Sequence, residues 1–229
     1  MKNKFQFGMI LILFVQVGIA YGQNVDSSPD KREKFSTETH LNFILNLVDT
    51  DFNYGKSNHE LADYKKPVSS LQAGFSFQGG VTKRLSLVSE LYFMMKGGKL
   101  KSGNPITESS STLRLYSVEM PTLVRIHFNR FHINAGPSVA YNFTGSQRIG
   151  ETRQHVSFRE QVGGFKRWEG GVQFGGGYRF PVKRKTITID LRYHYGLTNI
   201  SYGREIRNRY VNVSLQISRP WNHNPIAKK

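Results

Sequence analysis

The amino-acid sequence predicts an all-β chain: an eight-stranded antiparallel up-and-down transmembrane β-barrel with short periplasmic turns and longer extracellular loops. Three observations predict it. Segments of alternating apolar and polar residues recur eight times, the connections between them alternate long and short without exception, and the polar members mix acids with bases. Alternation is the mark of a strand, because successive side chains of an extended chain point to opposite faces. An even number of such segments joined by turns of alternating length is the signature of an up-and-down barrel in an outer membrane. A soluble sandwich needs Greek-key connections and has no reason to keep the alternation.

The elements run as follows. Residues 1–22 open with Lys2 and Lys4, continue through the apolar run Phe7 to Val15 and close on Ala20-Tyr21-Gly22, the pattern of a secretory signal peptide with small residues at the cleavage site. The run falls short of the ~20 apolar residues that a helical span needs. Residues 23–38 are polar and charged and contain Pro29, which predicts a flexible periplasmic lead-in. The barrel is expected over 39–221, followed by a tail at 222–229.

Period two starts with Leu41, Phe43, Leu45 and Leu47 and returns in Leu71 to Phe77 and in Leu85 to Phe93. It recurs in Val118 to Phe128, Phe131 to Phe143, Trp168 to Phe180, Thr186 to Thr198 and Tyr210 to Ser218. The connections are long at Thr50–Lys66, short at Gly79–Arg84, long at Gly97–Ser111 and very short at Asn129-Arg130. They are then long at Thr144–Arg167, short at Pro181–Lys185 and intermediate at Asn199–Asn208.

Composition agrees with this reading. The 229 residues include 32 Lys+Arg, 16 Asp+Glu, 22 Gly, 16 Phe, 11 Tyr and no Cys, a formal net charge of +16. The aromatic content excludes a disordered chain, and the absence of cysteine excludes disulfides, thiolate metal sites and cysteine nucleophiles. A mean hydropathy of −0.45 excludes a helical membrane protein but not a barrel, whose alternating strands average to such values.

The composition of the two faces decides which one meets lipid. One face carries Glu90, Tyr92, Lys96, Glu119, Arg125, Asn134, Ser138, Asn142, Glu169, Gln173, Arg179, Asp190, Arg192, His194, Asn212, Ser214 and Gln216, interspersed with Gly136, Gly171, Gly175, Gly177 and Gly196. A narrow eight-stranded barrel fills its interior with side chains, and small residues beside paired charges do so. Glu90, Glu119, Arg125, Glu169, Arg179, Asp190, Arg192 and His194 are therefore expected to form a charge network that plugs the lumen. The opposite face is aliphatic and aromatic (Leu87, Leu91, Phe93, Val124, Ile126, Phe174, Leu191 and Leu215 among others). Phe128, Phe131, Tyr141, Phe143, Trp168, Phe180, Tyr195, Tyr202, Tyr210 and Trp221 are expected to form the interfacial girdles. Pro121 removes a ladder donor and predicts a bulge or bend.

Within these residues, Tyr116-Ser117-Val118-Glu119-Met120-Pro121, Ala135-Gly136-Pro137, Glu169 to Gly177 and Asp190 to Ile200 resemble the outer membrane protein β-barrel domain family common in Bacteroidota, often labelled porin-family or PorT-family proteins. The resemblance spans Thr39 to Trp221 and implies a barrel in the outer membrane. Such barrels commonly finish on a terminal aromatic, whereas here Trp221 is followed by eight further residues.

Chemistry beyond packing is sparse. No pair among the seven histidines has the i, i+4 helical or i, i+2 strand spacing of a metal site, and the glycines from Gly170 to Gly177 lack the Lys-Ser/Thr and the strand-then-helix context of a nucleotide loop. Neither a metal nor a cofactor is expected. A Ser/His enzyme would have to use His194 with Asp190 or His132 with Ser138; Asp190 and His194 are about 13 Å apart along a strand, too far to touch, and no enzymatic role is expected. The excess of positive charge gathers in loops, with Arg148, Arg153, Arg159, Lys166 and Arg167 in the third long connection and Arg204 and Arg207 in the fourth. These are expected to contact anionic groups: the partners are outer-membrane lipid and lipopolysaccharide, or an envelope or secretion protein, and not nucleic acid, since the charges are split between two ends. The functional expectation is a structural or interaction role in the cell envelope with a plugged lumen. The alternatives are a small pore for ions or small solutes, or an accessory barrel of a protein secretion system.

Overall fold

The computed structural model describes residues 40–82, 84–182 and 185–218. The signal peptide, the lead-in, Trp221, the tail and the turn residues Lys83, Lys183 and Arg184 lie outside the described residues. Eight long strands occupy the described chain: β1 His40–Tyr54, β2 Val68–Gly80, β3 Leu85–Leu100, β4 Ser111–Phe128, β5 Phe131–Ile149, β6 Trp168–Val182, β7 Lys185–Gly196 and β8 Ile206–Ser218. Each pairs antiparallel with its neighbours in sequence, and β8 returns to β1 (Leu45 opposite Leu215, Tyr54 opposite Ile206), closing the barrel. Closure pairs every long strand on both sides, which a lipid environment demands because it offers no water to unpaired backbone groups.

The periplasmic turn whose residues are all described is as tight as expected. Between Phe128 and Phe131 only Asn129 and Arg130 intervene, and Asn129 takes a left-handed φ of 57°, which its short amide side chain tolerates. Outside, the strands run further than the sequence predicts. β3 continues to Leu100, β4 begins at Ser111 and β5 extends to Ile149 before a hairpin at Gly150 (φ 56°) leads into a short strand, Thr152–His155, paired with Ser146 to Ile149. A second short strand, Lys65–Lys66, pairs with Lys99 and Leu100. The period-two signal fades there because the outward positions change from apolar to Lys, Arg and Gly while the ladder continues. A 3-10 segment, Lys56–Tyr64, completes the first outer connection.

One sequence expectation is corrected. The register shift lies between Tyr116 and Ser117, which oppose Thr144 and Asn142, so that Phe143 is the extra, bulged residue; at Pro121 the pairing with Ser138 stays in register. The lumen beside Pro121 is packed by side chains that need the register held, whereas Phe143 sits at the upper end of the apolar wall, where a bulge can re-aim the strand.

The faces fall as the alternation requires. Leu41, Phe43, Leu45, Leu47, Leu91, Phe93, Val124, Phe174, Leu191, Val213 and Leu215 are exposed on the outer wall, while Glu90, Tyr92, Glu119, Arg125, Gln173, Asp190, Arg192, His194 and Asn212 are buried inside. Tyr210 is the second correction: only 2% exposed, it lies in the lumen and not in a girdle. It shares the parity of Asn212 and Ser214, and that parity outweighs its position at a strand end.

Candidate functional site: a filled lumen beneath a basic rim

The lumen is stacked in levels. At the periplasmic end His127 meets the Ser86 hydroxyl at 2.8 Å and accepts a hydrogen bond from Arg179 on its other ring nitrogen. Above it, Asp190 is a hub. It accepts from Arg125 (3.1 Å), His132 (3.1 Å) and Asn134 (3.0 Å) and pairs with Arg192 at 3.4 Å. Arg192 reaches across the barrel to clasp Glu90 with two nitrogens, at 2.6 and 3.0 Å, and Ser76 donates to the same carboxylate at 3.2 Å.

The next level is built on Glu119, which accepts from the Tyr210 hydroxyl (2.7 Å) and Gln173 (3.0 Å). Its other oxygen lies 2.7 Å from Lys96, which also bridges to Glu169 at 3.1 Å. Glu169 in turn accepts from Asn142 (2.6 Å) and Asn208 (2.7 Å). Four carboxylates and four cationic side chains thus balance along the axis: Glu90 and Asp190 with Arg125 and Arg192, Glu119 and Glu169 with Lys96, and Arg179 at the periplasmic end. A charge withdrawn from water needs such partners, since burying it alone costs several kcal/mol.

Glycine on β6 makes this packing possible. A Cβ on Gly171 would stand 2.5 Å from the His194 ring, one on Gly177 2.7 Å from the His132 ring, and one on Gly175 2.2 Å from the Leu191 carbonyl oxygen and 3.0 Å from Cγ of Arg192. At Gly171, Gly175 and Gly177 the lumenal side of β6 is bare backbone, over which His194, Arg192 and His132 lie. The Gly170–Gly177 segment is therefore a packing surface inside a strand, not a nucleotide loop.

Above Lys96 the character changes. Phe52, Leu113, Leu115, Phe165, Ile200 and Ile206 form a buried apolar cluster across the extracellular mouth, with Tyr54, Val156 and Phe158 packed against it. Phe165 and Ile200 come from the two last outer connections, which are laced together by Lys166 N–H to Ile200 O (2.7 Å) and Tyr202 N–H to Gly164 O (3.0 Å). Gly55 N–H to Glu205 O (2.9 Å) ties in the first connection. Burial, and then the nearby Asp51 carboxylate, pushes the Tyr54 phenol up to about 12 against the opposing pull of Arg204. Sequence reasoning missed this cap, although Leu113 and Leu115 continue the alternation of β4 and could have shown it.

Glu90, Glu119, Arg125, Glu169, Asp190, Arg192 and His194 are buried in the lumen, and Arg179 is half-buried there against His127. The enzyme-like pairs are exchanged: His132 meets Asp190, while His194 meets Ser138 at 3.2 Å and Glu119 at 3.4 Å. Both contacts of His194 fall on Nδ1, whereas a nucleophile relay needs the two opposite ring nitrogens. His194 instead stacks flat on Tyr210, with ring centroids 4.4 Å apart.

The basic residues divide. Arg148 lies on β5, Arg153 on the short strand after it and Arg207 at the start of β8, so these three are strand residues and not loop residues. Arg167 is held over the Tyr141 and Phe158 rings and donates to the Asn142 and Phe143 carbonyls, Lys166 lies over Tyr202, and Arg207 pairs with Glu205 at 3.1 Å. Arg159 and Arg204 are exposed.

A closed eight-stranded barrel with an aliphatic outer wall and a polar, ion-paired interior is a barrel built to stand in a membrane, its apolar side turned to lipid. The model of the outer membrane protein beta-barrel domain matches residues 27–202, and the chain belongs to that family. It is an outer-membrane β-barrel protein. Solved structures to which it is similar include Neisserial surface protein A, at 10% identity and a TM-score of 0.45, covering 79% of this chain and 97% of that one. Ail, the attachment invasion locus protein of Yersinia pestis, is similar at 8% identity with a TM-score of 0.43, covering 79% and 99%. The outer membrane protein AlkL is similar at 11% identity with a TM-score of 0.41, covering 90% and 100%. Among curated protein sequences none matches.

Proposed function

We propose that the protein is a closed interaction barrel of the outer membrane. Its lumen passes no solute, and its extracellular face holds anionic groups of the envelope, the outer-leaflet glycolipid first among them. The observation that carries this reading is the double seal: two ion-paired levels, centred on Asp190 and on Glu119, beneath an apolar cap built from Phe52, Leu115, Phe165 and Ile200. An ion entering this lumen would have to part buried charge pairs after crossing an apolar layer. Exposed Arg159 and Arg204 on the outer rim support the second half of the reading, since cations there meet lipid phosphates at short range.

The reading contains no catalytic step. The motif residues that carry the PorT-type resemblance, Glu119, Glu169 and Asp190 among them, are lumen packing and serve this seal. Liposome swelling tests it: vesicles holding the folded full-length protein should admit small sugars no faster than empty vesicles, and swelling that scales with protein content would refute a sealed lumen.

A further inference from the structure

The outer wall above the lipid band carries a row of cations on the sheet itself, which joins Arg148 and Arg153 to Lys66 and Lys99. Cα partners in an antiparallel ladder share a face. Lys66 is opposite Lys99, Lys99 opposite Thr112, Thr112 opposite Arg148, and Arg148 opposite Arg153. Five strands thus present one continuous line of Lys, Lys, Thr, Arg and Arg, about 19 Å wide at ~4.8 Å per strand. One outward step nearer the membrane, Arg114 stands opposite Gly97 and Ser146. Lys66, Lys99, Arg114, Arg148 and Arg153 are all exposed.

The face is fixed by what lies behind it. Leu113, Leu115 and Leu100 are buried toward the mouth, so Thr112, Arg114 and Lys99 point away from it. On β5 the bulge at Phe143 sets the side. Asn142 is lumenal, and an unbroken alternation would carry Arg148 to the lumen with it; the extra residue puts both Phe143 and Thr144 outward and keeps Arg148 outward too.

The height is fixed by the same ladders. Phe93 meets Phe143 on the outer wall at a ring separation of 5.4 Å, marking the top of the lipid-facing band. Lys99 is three outward steps beyond Phe93, about 20 Å along the strand and ~15 Å in height at the usual tilt. Arg114, one step lower, lies between the aromatics and the row. The row stands above the hydrocarbon band, on the sheet wall just below the Gly150–Glu151 hairpin tip, at a height that the projecting headgroup of a glycolipid reaches.

The row is also electrostatically unfinished. Two like-charged pairs stand directly opposite each other, an arrangement that disfavours the ladder. Among the described residues no carboxylate lies within ion-pair distance of any of these five cations. Arg148 donates to the Gly150 carbonyl at 3.0 Å and Arg153 to the Ser146 hydroxyl at 3.4 Å. Glu151 is at the hairpin tip, beyond the row.

We infer that this row, Lys66, Lys99, Arg148 and Arg153 with Arg114 beneath, is a docking strip for the phosphate groups of outer-leaflet glycolipid, gripping the molecule from the side of the barrel. The inference rests on the reading that the extracellular face holds anionic glycolipid, and it assigns that contact to the sheet wall instead of the rim. Phosphates relieve the repulsion within the row, and a sheet holds its cations at fixed spacing without ordering a loop.

The test uses the full-length folded barrel in neutral detergent, titrated with bis-phosphorylated lipid A and with its dephosphorylated form. The heat-induced shift in gel mobility checks that each variant is folded. The wall variant K99Q/R148Q/R153Q should weaken binding of the phosphorylated lipid by about fivefold per charge removed, while the rim variant R159Q/R204Q weakens it far less. A rim variant that loses as much as, or more than, the wall variant overturns the strip and leaves the broader reading standing. A wild-type barrel that binds both lipids equally overturns both.

Discussion

Arg192 and Glu90 stand 102 residues apart in sequence and face each other through the middle of the barrel, joined by two contacts of 2.6 and 3.0 Å. The pair fixes the separation of β3 and β7, which are not neighbours in the sheet, and it sits on the Asp190 hub. Each partner is buried, so the pair contributes more to a unique packing than to net stability.

Removing one partner should therefore cost far more than removing both. R192M alone leaves the Glu90 carboxylate stranded and is expected to lower stability by about 3–5 kcal/mol, whereas E90L/R192M should lie within about 2 kcal/mol of wild type. Urea unfolding in lipid vesicles measures both.

The glycines of β6 give a second expectation. G171A places a methyl 2.5 Å from the His194 ring and G177A one 2.7 Å from His132, and each should cost about 1–3 kcal/mol by overpacking. G170A, whose Cβ would meet nothing nearer than 3.4 Å, should be close to neutral. The same unfolding assay separates them.

How much of this was legible in the sequence follows from what alternation can and cannot report. It placed Glu90, Glu119, Asp190 and Arg192 inside because each keeps parity with polar neighbours on its own strand. It missed Tyr210 because an aromatic at a strand end looks like a girdle residue until its parity with Asn212 is counted. It ended β3 too early and began β4 too late because Lys99 and Arg114 replaced apolar residues outside while Leu100, Leu113 and Leu115 kept the inner half of the pattern. Which acid meets which base was not legible at all: Arg192 with Glu90 is set by barrel closure, and no single strand carries that information.

The chain has no cysteine, so single cysteines report cleanly on faces. In intact cells K99C, R114C and R148C should react with a membrane-impermeant maleimide, and L113C and L115C should not. Reaction at Leu113 and silence at Arg114 would mean that the β4 and β5 faces are exchanged above the bulge.

Closure of the cap is readable from Tyr54. Its phenol, held up to about 12 by burial and by Asp51, should stay neutral while an exposed tyrosine titrates near 10. The ultraviolet difference between wild type and Y54F should therefore show no phenolate at pH 10.5. By the same sign, Tyr54 favours unfolding as pH rises above about 10, where the unfolded phenol ionises first.

Single-channel recording in planar bilayers bears most directly on the sealed lumen. Wild-type protein at neutral pH should give no discrete conductance, and neither should F165A/I200A, because the Glu119 and Asp190 levels remain closed beneath an opened cap. Resolved, protein-dependent current steps in the wild type would contradict a filled lumen and restore the pore.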